Sequence, residues 1–315
     1  MTTISSGRTD AMTGADRSVI EEQLRRADLD PLSISAFARE TLAEDLQWGP
    51  DVTTESTIPA DQLGVADVVA REAGTLAGVP VAAMIALQLA DQRADQLEVE
   101  LIMADGAAVT AGDRVLTISG PVRTLLTAER SLLNVIGQLS GVASATASWV
   151  AAIGDRPCSV RDTRKTVPGL RVLQKYAVRC GGGVNHRMGL GDAALIKDNH
   201  VAAAGSVRAA FEAVRRTDPD IPVEVEVDTL DQLREALDAG ADLILLDNMP
   251  AETMRTAVGI AAPYRTAGHP VRLEASGGLS LDDAAAVAAT GVDYIAVGGL
   301  THSASVLDLG FDLRA

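Results

Sequence analysis

The chain has 315 residues, and its 47% hydrophobic and 22% charged content is ordinary for a globular protein of one large or two smaller domains. Its formal net charge of −16 argues against nucleic acid or anionic membranes as main partners, since both repel an acidic protein. There is no run of roughly eighteen apolar residues and there are two cysteines, so we expect neither a membrane span nor a disulfide framework, and a reduced, cytoplasmic protein.

Residues 1–28 are predicted to be a flexible N-terminal extension, with a short helix over 19–26 as the alternative. They are rich in Ser, Thr, Asp, Gly and Arg and contain no apolar core of the signal-peptide type. A helix is predicted over Pro31–Leu46, where apolar residues recur near one face and Ser33 or Ser35 can cap the first turn.

A small unit of strands and helices is predicted for the following segment. The alternation of apolar residues favours strands over 63–70, 75–79, 97–103 and 115–119, and a helix over 80–89. A long helical stretch begins at Pro121, with an interruption near Ser140-Gly141 before it resumes to Ile153.

From Cys158 onward the pattern changes to repeated strand-then-helix units, which indicate right-handed crossovers and a parallel sheet closed, or nearly closed, into a barrel. The predicted strands are 158–161, 193–196, 223–227, 243–246, 271–274 and 294–297. The predicted helices are 168–180, 205–217, 229–238, 251–262 and 281–290.

Functional groups collect where these strands end, which is where barrel enzymes build their active sites. The cations of segment 159–200, inside an acidic chain, predict a local pocket for an anionic ligand. A solvated basic helix face is the alternative, and we favour it for Lys175 and Arg179. The residues at or just beyond successive strand ends are Arg164, Lys197, Glu226, Asp247, Ser276 and Gly298.

These groups together describe a site for a carboxylated ring and a phosphorylated sugar. Arg and His side chains on loops neutralise a small dicarboxylate, and glycine turns expose backbone N–H groups to a phosphate. Glu226 and Asp247 suit Mg²⁺ or ribose hydroxyls. Glu224 shares a strand face with Glu226, and two carboxylates pointing into a barrel require a cation or a ligand.

From about Asp30 onward, the amino-acid sequence resembles that of the quinolinate phosphoribosyltransferase family. The matching motifs are EDLQWGPDVTT, TAERSLLN, TRKTVPGLR, GGGVNHR, LIKDNH, VEVEVD, LLDNM, EASGGLS and GVDYIAVGGLTHS. The resemblance implies an α/β fold with an N-terminal α/β sandwich over 29–133 and a C-terminal open, TIM-like α/β barrel of six to seven strands over 134–300. Residues 301–315 are expected to return to the N-terminal domain.

The resemblance also implies an activity. Quinolinate and phosphoribosyl pyrophosphate react to give nicotinate mononucleotide, pyrophosphate and CO₂, with Mg²⁺, in a homodimer or a higher oligomer. Carried over by motif, the quinolinate carboxylates are held by Arg130 of the other subunit and by Arg164, His186 and Arg187.

The remaining site residues follow from the same motifs. Lys165 and Lys197, with Thr163 beside them, bind phosphates or bridge both substrates, while Glu226 and Asp247 face ribose and metal, directly or through water. Lys165, Lys197, Glu226 and Asp247 are expected to be catalytic. The phosphate is cradled by Ser276, Gly277, Gly278, Val297, Gly298 and Gly299.

Two other functions compete with this one. A related phosphoribosyltransferase of the same fold uses another aromatic acid, such as nicotinate, and releases pyrophosphate with that acid alone. A non-catalytic anion sensor on the same fold binds tightly without releasing CO₂. The intact TRK and NHR motifs and the presence of both Glu226 and Asp247 favour the decarboxylating enzyme.

Overall fold

The computed structural model of the protein describes residues 17–314. Its helices are α1 (Arg17–Arg26), α2 (Pro31–Leu46), α3 (Val52–Thr57), α4 (Val79–Arg93), α5 (Val122–Ile153), α6 (Arg171–Cys180), α7 (Asp198–Ala204), α8 (Val207–Thr217), α9 (Leu230–Asp238), α10 (Ala251–Thr266), α11 (Ala284–Ala288) and α12 (Gly299–His302). Its strands are β1 (Leu63–Ala70), β2 (Gly74–Thr75), β3 (Glu98–Leu101), β4 (Ala108–Val109), β5 (Arg114–Pro121), β6 (Ser159–Arg161), β7 (Ala194–Ile196), β8 (Val223–Val227), β9 (Leu243–Asp247), β10 (Arg272–Ser276), β11 (Tyr294–Ala296) and β12 (Leu309–Arg314). A 3₁₀ turn covers Leu281–Asp283.

The described chain divides into two compact units. One consists of the described residues up to Ser144 together with those from Ser305 on, and the other is Ala145–Ala304. The boundary after Ser144 lies inside α5, whereas the sequence suggests a domain boundary earlier in this helix, at 133/134.

The first unit is built on an antiparallel sheet with the strand order β12-β1-β5-β3. The C-terminal strand β12 pairs along β1 from Val65↔Arg314 to Ala70↔Leu309. Asp67 on β1 accepts a hydrogen bond from Arg314 Nη2 at 2.9 Å. The end of the chain is thus an integral edge of this sheet.

Helix α1 occupies part of the segment that the sequence assigns to a flexible extension. Ile20 and Leu24 on this helix are fully buried, and α1 packs against α2 and α4. The prediction of flexibility is therefore wrong for residues 17–26, where the helical alternative is confirmed, and residues 1–16 lie outside the described range.

Helix α2 has the predicted bounds but a different cap. Asp30 precedes the helix and its carboxylate accepts from the amides of Leu32 at 3.4 Å and Ser33 at 3.0 Å. The prediction of Ser33 or Ser35 as the cap is wrong, because both residues already lie inside the helix, behind Pro31 in its first position.

The predicted strand 75–79 is wrong except at Thr75, the second residue of β2. The carboxylate of Asp105 accepts from the amides of Gly78 and Val79, each at 2.9 Å, and so begins α4 at Val79. A distant carboxylate thus starts a helix where the local sequence favours a strand.

Helix α5 is continuous, without the predicted interruption at Ser140-Gly141. Ser140 Oγ accepts from the amide of Ala77 at 3.0 Å, and Gly141 lies where the carbonyl of Ser305 approaches so closely that a Cβ would collide with it. These residues serve close packing inside the first unit. By length and composition α5 also passes as a membrane span, but 56% of its most apolar window is buried in the protein, as in a core helix.

The second unit is a six-stranded parallel sheet with the order β6-β11-β10-β9-β8-β7. In a closed barrel β6 would pair with β7, the next strand in the chain. In the described chain these two strands instead lie at opposite edges of the sheet, so the barrel is open between them. A single parallel bridge, Arg161↔Val184, extends β6 into this opening. The predicted α/β class and the six barrel strands are confirmed.

Alternation along the strands separates the core from the site. Val223, Val225 and Val227 on β8 are buried, and α8 and α9 pack against this strand. Glu224 and Glu226 alternate with them and face the barrel interior at two depths, the first buried and the second half-buried. The interior of the barrel is therefore polar towards the carboxyl ends of the strands.

Candidate active site at the mouth of the barrel

A cavity of about 570 Å³ opens at the carboxyl ends of the barrel strands. It is lined by Thr163, Arg164, Lys165, His186, Arg187, Leu195, Lys197, Glu226, Leu245, Asp247, Asn248, Glu274, Ser276, Gly277, Gly278 and Ala296. The structure thus brings together eleven of the fifteen side chains and glycines that the sequence singles out, all from the second unit. Arg130 lies on α5 in the first unit, and Val297, Gly298 and Gly299 are not among the lining residues.

The cationic wall of the cavity is formed by two arginines. The Nε atoms of Arg164 and Arg187 are buried and have no hydrogen-bond partner among residues 17–314. Arg187 is anchored by a bond of 2.9 Å from Nη1 to the carbonyl of Ala193. Burial, and then the neighbouring charge of Arg164, lower the pKa of Arg187. Two guanidinium groups held side by side with unused donors favour an anion that carries carboxylates.

The cavity also carries two carboxylates at strand ends, Glu226 and Asp247. Glu226 Oε2 lies 2.5 Å from Lys197 Nζ, and Asp247 Oδ2 accepts from Asn248 Nδ2 at 2.7 Å. Lys197 thus balances one of two negative charges. Glu226 and Asp247 offer the hard oxygen ligands that Mg²⁺ prefers, so these residues fit a magnesium ion.

Asn248 is a lining residue that the sequence analysis did not single out. It has a left-handed backbone with φ of 52°, and its amide donates to the carbonyl of Ser276 at 2.9 Å. Its side chain lies where a Cβ on Gly277 would be, and Gly277 itself has φ of 96°. The sequence signal for the left-handed backbone is an Asn directly after the Asp that ends the strand, because Asn adopts this backbone more readily than most residues.

Gly298 follows β11, the last strand of the barrel, and contributes to the site without lining the cavity. A Cβ on Gly298 would lie 2.9 Å from Lys165 Cδ, so this glycine allows the lysine stem to pass towards the cavity. Ser276, Gly277 and Gly278 follow β10 and line the cavity directly.

Lys175 corrects one prediction of the sequence analysis. Its side chain is completely buried and pairs with the equally buried Asp162, so it is not part of a solvated helix face. Arg179, one turn later, is exposed as expected, and its Nη1 donates to Asn185 Oδ1 at 2.9 Å.

Below the cavity lies a charged floor formed by Arg161, His186, Glu224 and Glu274, of which the sequence analysis singled out His186 as a ligand of quinolinate and Glu224 as a carboxylate facing the barrel interior. Arg161 Nη1 lies 2.6 Å from Glu274 Oε2 and 4.0 Å from Glu224 Oε1, and it supplies the cation that buried carboxylates require. His186 Nδ1 accepts from the amide of Arg187 at 2.7 Å, while His186 Nε2 lies 2.6 Å from Glu224 Oε2, outside hydrogen-bond alignment. His186 is therefore engaged with the floor as well as lining the cavity.

The floor has the composition of a metal site, because ligand atoms of His186, Glu224 and Glu274 lie within 4.8 Å of one another. The guanidinium of Arg161 already occupies the position of the compensating charge beside Glu274. We therefore consider the carboxylates at the mouth the better magnesium ligands.

Glu274 is expected to make stability depend on pH. Burial, and then the charge of Glu224, raise the pKa of Glu274 to about 8 from an ordinary value of 4.5. A raised pKa means that the protonated form stabilises the fold, fully below about pH 4.5, and that this contribution is lost as the pH rises through about 8. The difference in free energy of unfolding between Glu274→Gln and the native chain should therefore grow in favour of the variant by roughly 1.4 kcal/mol for each pH unit between about 4.5 and 8.

Chemical denaturation at pH 5, 6.5, 8 and 9 measures this difference. Glu212→Gln on the exposed face of α8 is the matched control and should follow the native curve at every pH. A Glu274→Gln curve parallel to the native curve would show that Glu274 is ionised throughout.

Comparisons with known proteins agree with this architecture. Models of the quinolinate phosphoribosyl transferase N-terminal and C-terminal domains match residues 51–140 and 142–312. A nicotinate-nucleotide pyrophosphorylase (carboxylating) of Mycobacterium leprae is 51% identical over 278 residues, 87% of this chain and 95% of that protein. The chloroplastic protein of that name from Arabidopsis thaliana is 36% identical over 293 residues, 89% and 82% of the two chains. The structure of the nicotinate-nucleotide pyrophosphorylase from Francisella tularensis matches with a TM-score of 0.81 and 37% identity over 98% of this chain and 100% of that one.

Proposed function

The chain belongs to the quinolinate phosphoribosyltransferase family, and we propose that the cavity at its barrel mouth is where the reaction of this family takes place. The protein transfers a phosphoribosyl group from phosphoribosyl pyrophosphate to quinolinate with decarboxylation, a step of NAD biosynthesis. The names of the relatives from Mycobacterium leprae and Arabidopsis thaliana describe the reverse direction, in which pyrophosphate and CO₂ are consumed.

The pair of arginines is the observation that carries the assignment of quinolinate to this cavity. Quinolinate has two adjacent carboxylates, and the buried, unused Nε–H groups of Arg164 and Arg187 are donors for such a group. We assign both guanidinium groups, with His186 beside them, to the quinolinate carboxylates. The ring nitrogen then faces the mouth, where the sugar substrate enters.

We assign the remaining part of the cavity to phosphoribosyl pyrophosphate. Lys165 and Lys197 are exposed at the mouth and are suited to phosphate oxygens, with Thr163 beside Lys165. The turn of Ser276, Gly277 and Gly278 presents backbone to the terminal phosphate. Gly298 contributes by letting the Lys165 stem pass, and we assign Val297 and Gly299 on either side of it to the same phosphate.

We propose that Glu226 and Asp247 hold Mg²⁺, directly or through water. When bound, the ion neutralises charge that develops on the departing pyrophosphate. Glu226 in addition keeps Lys197 in place through their ion pair. Asn248 orients the Asp247 carboxylate by its side-chain amide.

The chemistry requires positioning rather than a protein nucleophile. The ring nitrogen forms a bond to the anomeric carbon while the bond from that carbon to pyrophosphate breaks, and the lysines stabilise the leaving charge. The ring becomes cationic and takes up the electron pair released when the adjacent carboxylate leaves as CO₂. A proton then replaces CO₂ on that carbon, which gives nicotinate mononucleotide.

One assay tests the function. Purified protein with quinolinate, phosphoribosyl pyrophosphate and Mg²⁺ should give nicotinate mononucleotide, pyrophosphate and CO₂ in equal amounts. Pyrophosphate release with nicotinate and none with quinolinate would identify the related transferase instead. Tight binding of quinolinate without CO₂ would identify an anion sensor.

Arg164→Lys is expected to impair the use of quinolinate despite its conserved charge. A lysine presents a point charge and loses the planar fork that meets a carboxylate with two parallel bonds. We expect the KM for quinolinate to rise by about 10- to 100-fold and the KM for phosphoribosyl pyrophosphate to change little. Steady-state kinetics measure both values, with Arg234→Lys on the exposed face of α9 as the control.

An unchanged kcat/KM for quinolinate in Arg164→Lys would refute the role assigned to this residue. A parallel rise of both KM values would place the arginine between the two substrates instead.

We further propose that the working protein is a homodimer, or a higher oligomer of dimers, in the cytoplasm. Arg130 supports the first proposal, because 66% of its side chain is exposed and its nearest acidic atom, Glu129 Oε1, is 3.9 Å away. We assign this largely exposed guanidinium to the quinolinate site of the other subunit.

A further inference from the structure

The opening of the barrel between β6 and β7 is bridged by a segment that carries two residues of the candidate site. Val184 continues β6 through its amide, which donates to the carbonyl of Val160 at 2.8 Å. Two and three residues later, His186 and Arg187 line the cavity. Arg187 then reaches the chain just before β7 through its bond to the Ala193 carbonyl.

This segment is held by a buried network centred on the Asp162 carboxylate. Oδ1 of Asp162 accepts from the amide of His186 at 2.9 Å and from Lys175 Nζ, and Oδ2 accepts from Asn185 Nδ2 at 2.5 Å. Lys175 Nζ donates in addition to the carbonyl of His186 at 2.7 Å. Both polar atoms of the His186 backbone are therefore fixed by one ion pair whose side chains are entirely buried.

The ion pair makes no contact with the cavity, since neither partner is among the lining residues. Burial lowers the pKa of Lys175, and Asp162 acts in the opposite direction by favouring the charged form. Buried ion pairs of this kind are weak evidence for stability, because apolar replacements of both partners are often as stable. The geometry of such a pair is nonetheless specific. Here it fixes the amide and the carbonyl of His186, which lines the ligand site.

We propose that Lys175 and Asp162 are positioning residues that set the affinity for quinolinate by fixing the His186–Arg187 segment across the open edge of the barrel. The proposal rests on the assignment of quinolinate to this cavity. It predicts an effect confined to one substrate, because the sugar-phosphate side is built on Lys165, Lys197 and the turn after β10, which the network does not touch.

Lys175→Met removes the donor to the His186 carbonyl and keeps a side chain of similar length. The KM for quinolinate should rise at least about tenfold, while the affinity for phosphoribosyl pyrophosphate stays within about twofold of the native value. Hydrogen exchange should accelerate at the amides of 184–188 and remain native in β8 to β10, and this measurement needs no substrate. Arg265→Gln, which breaks a 2.6 Å ion pair with Asp293 at the other end of the barrel, is the control for destabilisation alone.

Two further variants keep the test decisive if Lys175→Met folds poorly. Asn185→Ala leaves no buried charge unpaired and should raise the quinolinate KM in the same selective way, by a smaller factor. The double variant Asp162→Asn/Lys175→Met removes both charges and should recover the native Tm, yet keep the raised quinolinate KM, because the bond to the His186 carbonyl remains lost.

Several results would overturn the proposal. These are an unchanged quinolinate KM in Lys175→Met or Asn185→Ala, a parallel loss of affinity for both substrates, or a quinolinate KM in the double variant that recovers together with Tm. Failure of the native protein to use quinolinate would instead refute the proposed function. In that case, native exchange at 184–188 in Lys175→Met would separately refute the positioning role.

Discussion

An Asp247→Asn chain should fold like the native protein and lose roughly 100- to 1,000-fold in kcat/KM for phosphoribosyl pyrophosphate. Asp247 is the last residue of β9, half-buried at the mouth, and its carboxylate bonds to the side-chain amide of Asn248. Asparagine keeps an oxygen for that bond and removes the charge. The loss therefore falls on the ligand that the carboxylate serves, which we propose to be Mg²⁺ with the sugar substrate.

The dependence of the rate on Mg²⁺ distinguishes this role from a structural one. In Asp247→Asn the concentration needed for half-maximal rate should rise, while Tm stays close to the native value. Asp242→Asn is the matched control, because Asp242 is an exposed aspartate that precedes the same strand at its opposite end. A native Mg²⁺ response combined with an early melt in Asp247→Asn would make Asp247 a structural residue.

The barrel was predictable because its strands are short, apolar and separated by helices of regular length. Strand β8 has the predicted bounds, and β9 and β10 end one and two residues later than predicted. The first unit was less predictable, since its decisive contacts are remote in sequence. Asp105 starts a helix at Val79, and Ser305 packs against the glycine where a break in α5 was expected.

The candidate site was predictable where charge follows a strand. Glu226 and Asp247 end successive strands, and in a parallel sheet such ends meet at one edge. Sequence reasoning failed for groups whose role depends on burial, which a charge pattern does not reveal. Lys175 stands in α6 like any solvated lysine, yet it is fully buried, because Asp162 and the carbonyl of His186 provide partners inside the barrel wall.

Glu274 is a further residue whose role the sequence does not reveal. Its position on β10 two residues before Ser276 places it one layer below the mouth, and its raised pKa depends on Glu224 from a strand fifty residues earlier (274 − 224 = 50). Alternation predicts that both side chains face inward. Their proximity, and the choice of Arg161 as their cation, depend on the closure of the sheet.

Arg130→Ala and Lys165→Ala chains, each inactive alone, are expected to restore activity when they share a dimer. Each site would take its barrel from one chain and Arg130 from the other. In a mixed dimer, the barrel of the Arg130→Ala chain meets the native arginine of its partner and is complete, whereas the second site carries both lesions. Random assortment gives about half mixed dimers with one good site of two, so roughly a quarter of native activity should return.

The measurement requires exchange of subunits, so the two chains are co-expressed with different affinity tags and the mixed dimers are purified through both. Purified mixed dimers should then reach about half of native activity, because one site in two is complete. Arg164→Ala with Lys165→Ala is the control pair: both lesions lie in the barrel, so neither site of the mixed dimer is intact and activity should stay absent. Inactive mixed dimers of the Arg130→Ala pair would mean that Arg130 serves the site of its own chain, and the proposed exchange of this residue between subunits would be wrong.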